Sequence, residues 1–546
     1  MGIPSYFNHI IQNHKKIFRK LKDFKKIHNL YLDSNSIIYD AMRNIDTSHI
    51  RNNTEFEIVL LEKVCLKIEE YVTKLEPSFV YISFDGVAPV AKLEQQRQRR
   101  YKSGFIKNIE YEIKQSHENE IKNENEIKNE NKKAFSWNQT AITPGTEFMT
   151  SLDEYVKNYF KFPMKFGCNT IIVDGSENFG EGEHKIFSYI RNHESMHKHT
   201  NTLVYGLDAD LIMLCLNHQH ISNKINLFRE KPDFETDLDK YYDENDICIL
   251  EIKYLAQTIV DEMMDHNENH NYSLRMNKIR DYILISFMLG NDFMPHFPSL
   301  NIRTNGIDII LETYKKVFPI THTICDNDNI KWNEMRKFIE ELAKNEYDYL
   351  TNEYKIRGRT RQYFINKDSS VDDKLKTFNM IPMHERDLEL LIDPSQKGWE
   401  YRYYKYLFDL SINNEHRRKI CNNYLEGLEW TLKYYSSGCV NYRWHYKYHY
   451  PPLLCDLIKY IPHFDTIFIE ENHSVVSKLT QLAYVLPGNS LDLLPGEIKD
   501  KLLHKYKSYY SNSYTFTWAF CKYFWECHAN LPHIDINEIE QLVKET

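Results

Sequence analysis

The chain has 546 residues, 42% hydrophobic and 27% charged, with a formal net charge of −9, which is enough apolar matter for a large core and about three domain-sized units. The acidic balance excludes a wholesale basic coat for nucleic acid, and no apolar run reaches the roughly 20 residues that span a bilayer. The start, MGIPSYFNHI, is not a secretory signal. The ten cysteines stand singly, without CxxC pairs. An intracellular protein with reduced thiols and no structural zinc is therefore expected, its compartment left open between cytoplasm and nucleus.

Residues 1–28 read as a helix and a basic connector. In the connector Lys15, Lys16, Arg19, Lys20, Lys22, Lys25 and Lys26 face one acid, Asp23. Asn29–Leu32 is a short apolar strand that runs into Asp33. Leu61, Val64, Ile68, Tyr71, Val72 and Leu75 recur at helical spacing, and Pro77 ends that helix. Phe79–Phe84 is a second buried strand, running into Asp85, and a polar, basic helix follows. Residues 116–133 hold ENEIKN twice in tandem and read as a solvated insertion. Thr170–Val173 is a third strand, followed by DGSENFGEGEH. Leu203–Leu214, LVYGLDADLIML, gives a fourth strand that delivers Asp208 and Asp210 into a second apolar run. Ile225–Phe228 is a fifth. Strands alternating with helices predict an α/β fold with a mostly parallel central sheet. After about residue 250 the pattern turns helical, and Gly290-Asn291-Asp292 stops one helix on another acid. Residues 325–400 show no clear periodicity. The chain from about 400 onward is aromatic and mainly helical. The division expected is a core over 1–340 and a second region over 341–546.

Taken alone, Asp208-Ala209-Asp210 reads equally well as a helix-capping turn and as a pair of oxygen ligands for a hard cation. Asp33 and Asp85 also follow apolar strands, and Glu181 and Glu183 sit in the turn GEGEH. Neighbouring parallel strands would bring these carboxylates to one rim, and Asp292 is placed to join them. So many acids together repel and take up protons unless cations neutralise them. One or two Mg²⁺ or Mn²⁺ ions are the economical answer, and two-metal sites serve in-line attack at phosphodiesters. In the helix after Asp85, Lys92, Gln96 and Arg99/Arg100 fall at i, i+4 and i+7/i+8, one cationic face suited to a terminal phosphate. Trp430, Trp444, Tyr446, Tyr448, His449 and Tyr450 lie among basic residues. One or two of them are candidates for base stacking, and the others are packing residues.

With these residues in hand, the chain resembles the XRN family of 5′-to-3′ exoribonucleases. The resemblance rests on MGIPSYF, YLDSNSIIYD, FDGVAPVAKLEQQRQRR, ITPGTEFM, GEGEHKI, YGLDADLIML, GNDFMPHFPSL, EGLEWTLKYYSSG, WHYKYHYPP and FWECHANLPHID, in order over nearly the whole chain. It implies a PIN-like nuclease core shared with flap endonucleases and a helical second region that walls off the site. Asp33, Asp85, Glu181, Glu183, Asp208, Asp210 and Asp292 fall on the family's metal-site acids. Lys92, Gln96, Arg99 and Arg100 fall on its pocket for a 5′-monophosphate. The implied activity is processive trimming of single-stranded RNA to nucleoside 5′-monophosphates. Tyr39 replaces the family's base-stacking His, and with Trp430 or Trp444 it is the stacking candidate here. Ser36 replaces a Gly of the same motif, and Val90 an Arg beside the pocket. All seven acids are intact. The chain has no large C-terminal extension, so a minimal, two-region enzyme is expected. A structure-specific flap endonuclease and a non-catalytic RNA-binding scaffold are the alternatives. The Lys92–Arg100 stripe argues against the first and the intact acids against the second. A glycosyltransferase reading of Asp-x-Asp explains neither the other acids nor the stripe.

Overall fold

The computed structural model describes residues 2–24, 26–122, 135, 137–230, 247–264, 271–359, 369–411, 413–511 and 513–546, without the side chains of 118–122. Most of the ENEIKN insertion, and Lys25 of the basic connector, lie outside the described residues.

Seven strands form the central sheet: β1 (Phe18–Lys20), β2 (Asn29–Asp33), β3 (Phe79–Ser83), β4 (Thr170–Asp174), β5 (Thr202–Tyr205), β6 (Ile225–Glu230) and β7 (Ile247–Leu250). Their spatial order is β1-β7-β6-β5-β2-β3-β4. The five strands read from the sequence, β2 to β6, are mutually parallel. β1 and β7 close one edge antiparallel. These two were not expected: β1 is only three residues long and interrupts the stretch assigned to a connector. Both faces of the central strands are covered, and successive side chains join opposite cores as the pleat alternates. Tyr31, Tyr81 and Val204 join the core on one face, while Leu30, Leu32, Val80, Ile82 and Leu203 join the core on the other.

The chain winds from β2 through β3 to β4, then returns to lay β5 on the other side of β2. The β2/β5 boundary is thus a topological switch point, where open α/β sheets leave a crevice at the strands' carboxyl ends. Asp33 ends β2, Asp85 lies just past β3, and Asp208 and Asp210 follow β5. The sheet topology alone brings these four acids to one rim.

The second region is helical, as expected. Residues 325–400, which showed no clear period, hold helices including Trp332–Lys344 and Glu346–Gly358. In the first, Trp332, Met335, Phe338, Ile339 and Leu342 are buried at i, i+3, i+6, i+7 and i+10, a stripe hidden in sequence among charged neighbours. The long helix Asn414–Ser436 buries Tyr424, Leu428, Trp430 and Tyr434 and presses its carboxyl end against the rim of the sheet. Among the described residues no helix is long and apolar enough to cross a membrane. The ten cysteines are free thiols.

Candidate active site

Each acid is delivered by a different device. Asp33 completes β2. Asp85 is clamped by its neighbours: its Oδ2 accepts from Asn35 Nδ2 at 2.6 Å, its own N–H donates to Asn35 Oδ1 at 3.0 Å, and its Oδ1 accepts from the Gly182 N–H at 2.6 Å. Gly182 has to be glycine, because a Cβ there would lie 2.7 Å from Asp33 Oδ1 and 3.4 Å from Asp85 Oδ1. Glu181 and Glu183 flank it at the start of the helix Gly182–Asn192. Asp210 opens the helix Asp210–Asn217, which has no side-chain cap bond, so the capping reading of Asp-Ala-Asp does not hold. Asp292 follows the helix Tyr272–Ser286 and a short 3₁₀ turn, where Gly290 takes φ +89°.

The acids feel one another. Burial, with Asp85 and Asp208 beside it, pushes the Asp33 carboxyl well up. Burial and the neighbouring Asp210 and Glu181 raise Glu183. Burial and Asp292 push Asp210 up to about 7. Lys92 is the counter-charge, with its Nζ 2.5 Å from Glu181 Oε2 and 2.9 Å from Asp292 Oδ2. Burial alone would lower this ammonium, but Asp292, Glu181 and Glu183 hold its pKa well above the ordinary lysine value. For Asp292 burial is likewise overridden, and Lys92 keeps its carboxyl well below the usual range.

The donor set fits divalent metal. It is all hard oxygen, among the described residues Lys92 pairs with only two of the seven carboxylates, and Asp210 Oδ1 is buried with no hydrogen-bond partner among those residues. Among the described residues no three or more His, Cys, Asp or Glu side chains are grouped closely enough to hold a metal ion as they stand. Lys92, bridging Glu181 and Asp292, supplies the cationic charge between them.

The basic stripe lies on the helix Val90–Lys122. Lys92 reaches the acids, Gln96 is buried, and Arg100 Nη2 donates to Thr143 Oγ1 at 2.6 Å. Arg100 Nη1 has no hydrogen-bond partner among the described residues, and burial pushes the guanidinium pKa down to about 10. Arg99 is exposed. It borders a cavity of about 1030 Å³ that also touches Asp292, Trp444 and, across the gap, His449 and His528 of the second region. Tyr39 is half-buried, and its phenol acts electrostatically on Arg100.

The two tryptophans differ. Trp430 is fully buried, stacked on Tyr434 at 4.6 Å and on Trp444 at 5.1 Å between ring centroids. Its Nε1 donates to Asn441 O, so it presents no face to a base. Trp444 lines the cavity at 8% exposure. The sequence reading passed over Trp525, which lies on the cavity wall at 41% exposure. It stacks on Tyr523, and the Arg303 guanidinium lies over both rings. The signal available was an aromatic between Phe524 and Glu526 in FWECHANLPHID, a stretch used only to mark the end of the resemblance. Helix Asn414–Ser436 closes the site from the second region: Tyr434 OH donates to Glu181 Oε1 at 2.7 Å and its ring stacks on His184.

Comparisons with known proteins place this geometry in a family. The profile described as XRN 5′-3′ exonuclease N-terminus matches residues 1–231, and that described as Xrn1 helical domain matches 275–389 and 392–546. The chain is 24% identical to 5′-3′ exoribonuclease 1 of Saccharomyces cerevisiae, over 91% of this chain and 40% of that protein. It is 26% identical to the 5′-3′ exoribonuclease 2 homolog of Drosophila melanogaster, over 98% and 70%. It is also 26% identical to human 5′-3′ exoribonuclease 1, over 91% and 31%. It thus spans from about a third to two thirds of the curated relatives it matches. Both profiles, in order and together covering most of the sequence, fall on the sheet that carries the acids and on the helices that close over them: the chain belongs to the XRN family.

Proposed function

We propose that the protein is a processive 5′-to-3′ exoribonuclease that degrades 5′-monophosphorylated single-stranded RNA to nucleoside 5′-monophosphates by metal-assisted hydrolysis. The observation that carries this reading is the junction of two opposite charge groups on one helix. Lys92 ends in the acid cluster, and Arg99 and Arg100, two turns on, lie beyond it. A phosphate held by the arginines puts the next phosphodiester at the carboxylates.

Asp33, Asp85, Glu181, Glu183, Asp208, Asp210 and Asp292 would hold two Mg²⁺ or Mn²⁺ ions. Such ions activate the attacking water and relieve charge on the leaving 3′-oxygen. The residues of the chain do the remainder. Arg99 and the open Nη1 of Arg100 bind the terminal phosphate, with Gln96 beside them. Lys92, already paired with two carboxylates, keeps Glu181 and Asp292 oriented. Tyr434 fixes Glu181 from the opposite side. Tyr39, Trp444 and Trp525 offer aromatic surface to successive bases, which is sequence-tolerant because every base has a π-face. The region over 341–546 encloses the path of the strand. Tyr39 stacks without the imidazole's proton, so translocation here needs no titrating group at that position.

The test uses matched labelled RNAs ending in 5′-phosphate or 5′-hydroxyl, with Mg²⁺ present or chelated. Mononucleotide release from the phosphorylated RNA alone, and only with metal, is expected. Equal rates on both ends would overturn the phosphate pocket, and short oligomers as first products would favour an endonuclease.

A further inference from the structure

Gly2 stands against two of the acids. Its N–H donates to Asp292 Oδ1 at 3.1 Å. Its φ is +54°, a left-handed value. A Cβ built on it would lie 2.1 Å from Asp210 Oδ1 and 2.5 Å from Asp210 Cγ, closer than atoms in contact are found. The same Asp210 Oδ1 is the buried oxygen without a hydrogen-bond partner among the described residues. Gly2 also borders the cavity that reaches Asp292.

This approach is built into the fold. The following helix, Tyr6–Asn13, buries Tyr6, Ile10 and Ile11. Tyr6 OH hydrogen-bonds Tyr282 OH at 3.0 Å. Tyr282 belongs to the helix Tyr272–Ser286, the one whose end presents Asp292. One helix therefore anchors both the amino-terminal segment and the acid that the segment touches. A segment that only filled space would tolerate a methyl group by sliding. Here the tether leaves it little room to slide.

We infer that Gly2 is a positioning residue of the acid site: its N–H fixes the carboxylate of Asp292, and its lack of a side chain gives Asp210 Oδ1 the place from which it can ligate a divalent cation. The inference rests on the metal reading of the seven acids. It adds that the ligand geometry depends on a residue which is not itself a ligand.

The experiment titrates Mn²⁺ into the full chain, wild-type and Gly2→Ala, by electron paramagnetic resonance. Melting temperature and kinetics on 5′-phosphorylated RNA are followed in parallel. Gly2→Ala should weaken Mn²⁺ binding about tenfold or more, the usual size of an effect acting through a ligand's partner. It should lower kcat while leaving KM for RNA unchanged, and the strain at a left-handed φ should lower the melting temperature as well. Tyr6→Phe, which removes one hydroxyl and adds no atom, should weaken Mn²⁺ binding about two- to threefold in the same direction. It reads the proposal even if Gly2→Ala folds poorly. Wild-type Mn²⁺ affinity in Gly2→Ala, or in Tyr6→Phe should that variant alone fold, would overturn the inference. Wild-type protein that takes up no Mn²⁺ would overturn the metal reading beneath it.

Discussion

Two of the clusters of buried charge among the described residues are built in opposite ways. In the second region Arg357 meets Glu389 through two nitrogens at 2.7 and 2.9 Å, Arg386 adds a third contact at 2.6 Å, and the Phe520 N–H donates to the same carboxylate. Arg357 also reaches the carbonyls of Pro382 and Cys521. Two cations and a backbone donor serve one carboxylate, so that cluster is complete and structural. At the sheet rim Lys92 pairs with only Glu181 and Asp292 among the described residues, Asp33 and Glu183 are pushed toward protonation, and the buried Asp210 Oδ1 has no hydrogen-bond partner among those residues. The first cluster has no use for a ligand. The second holds buried carboxylates that raise one another's affinity for protons, which also favours bound cations.

The contrast breaks most sharply at the acids. Asp208→Ala or Asp210→Ala should lower kcat by about 10³-fold or more while the fold persists, because a carboxylate is being removed from a set that repels itself. A nuclease assay with a melting curve on the same protein decides it. Activity surviving both substitutions would mean the acids are not the reacting centre.

Glu389→Ala should do the reverse. It leaves Arg357 and Arg386 buried without their carboxylate, a loss of about 3–5 kcal/mol of stability, and leaves turnover per folded molecule unchanged. Denaturant unfolding beside active-site titration separates the two effects. A Glu389→Ala protein of native stability that had lost activity would erase the distinction between the clusters.

Between these extremes lies the phosphate end of the stripe. Arg99→Ala removes one charge-assisted contact, worth about 1.5–3 kcal/mol, so the preference for 5′-phosphate over 5′-hydroxyl RNA should fall roughly 10- to 100-fold in kcat/KM. Trp525→Ala should weaken binding of single-stranded RNA by about tenfold, the lower end of base–aromatic stacking. Trp430→Phe, inside the core, should leave RNA affinity as it is.

Legibility followed the physics of each element. The parallel strands could be read because each is a short run dominated by apolar residues, and in β2 and β3 that run leads into an acid. The convergence of the acids then followed from topology alone. The antiparallel pair at the sheet edge could not be read, since three residues of Phe18–Lys20 carry no period and their partner Ile247–Leu250 pairs across more than 200 positions. The helical stripe of Trp332–Leu342 was masked by the charged residues between its apolar positions. At the site, spacing placed Lys92 on the correct face but could not say that its ammonium would turn to Glu181 and Asp292. The tryptophans divided on burial, which is a property of packing: Trp430 and Trp525 both sit in aromatic company, and only the fold hides one and exposes the other.

The smallest effect expected is also the one that reads the unsatisfied cluster directly. Asp210 is held at about 7 by burial and by Asp292, above the roughly 3.9 of an unfolded aspartate. Its folded form therefore binds a proton that its unfolded form has released between those two values. The stability this proton contributes is fully present below about pH 4 and is lost as pH rises through 7. In metal-free buffer the protein should lose about 1 kcal/mol per pH unit between pH 5 and 7 from this group. Other acids in the cluster whose values are raised, Asp33 and Glu183, add in the same direction. Asp210→Asn should flatten the slope, whereas Glu389→Gln, in the satisfied cluster, should leave it in place. Saturating Mg²⁺ should also flatten it, since an ion that displaces the proton does the proton's electrostatic work at every pH. A slope that is unchanged in Asp210→Asn and in Mg²⁺ would mean that the rim, for all its crowding, is already neutralised by the residues around it.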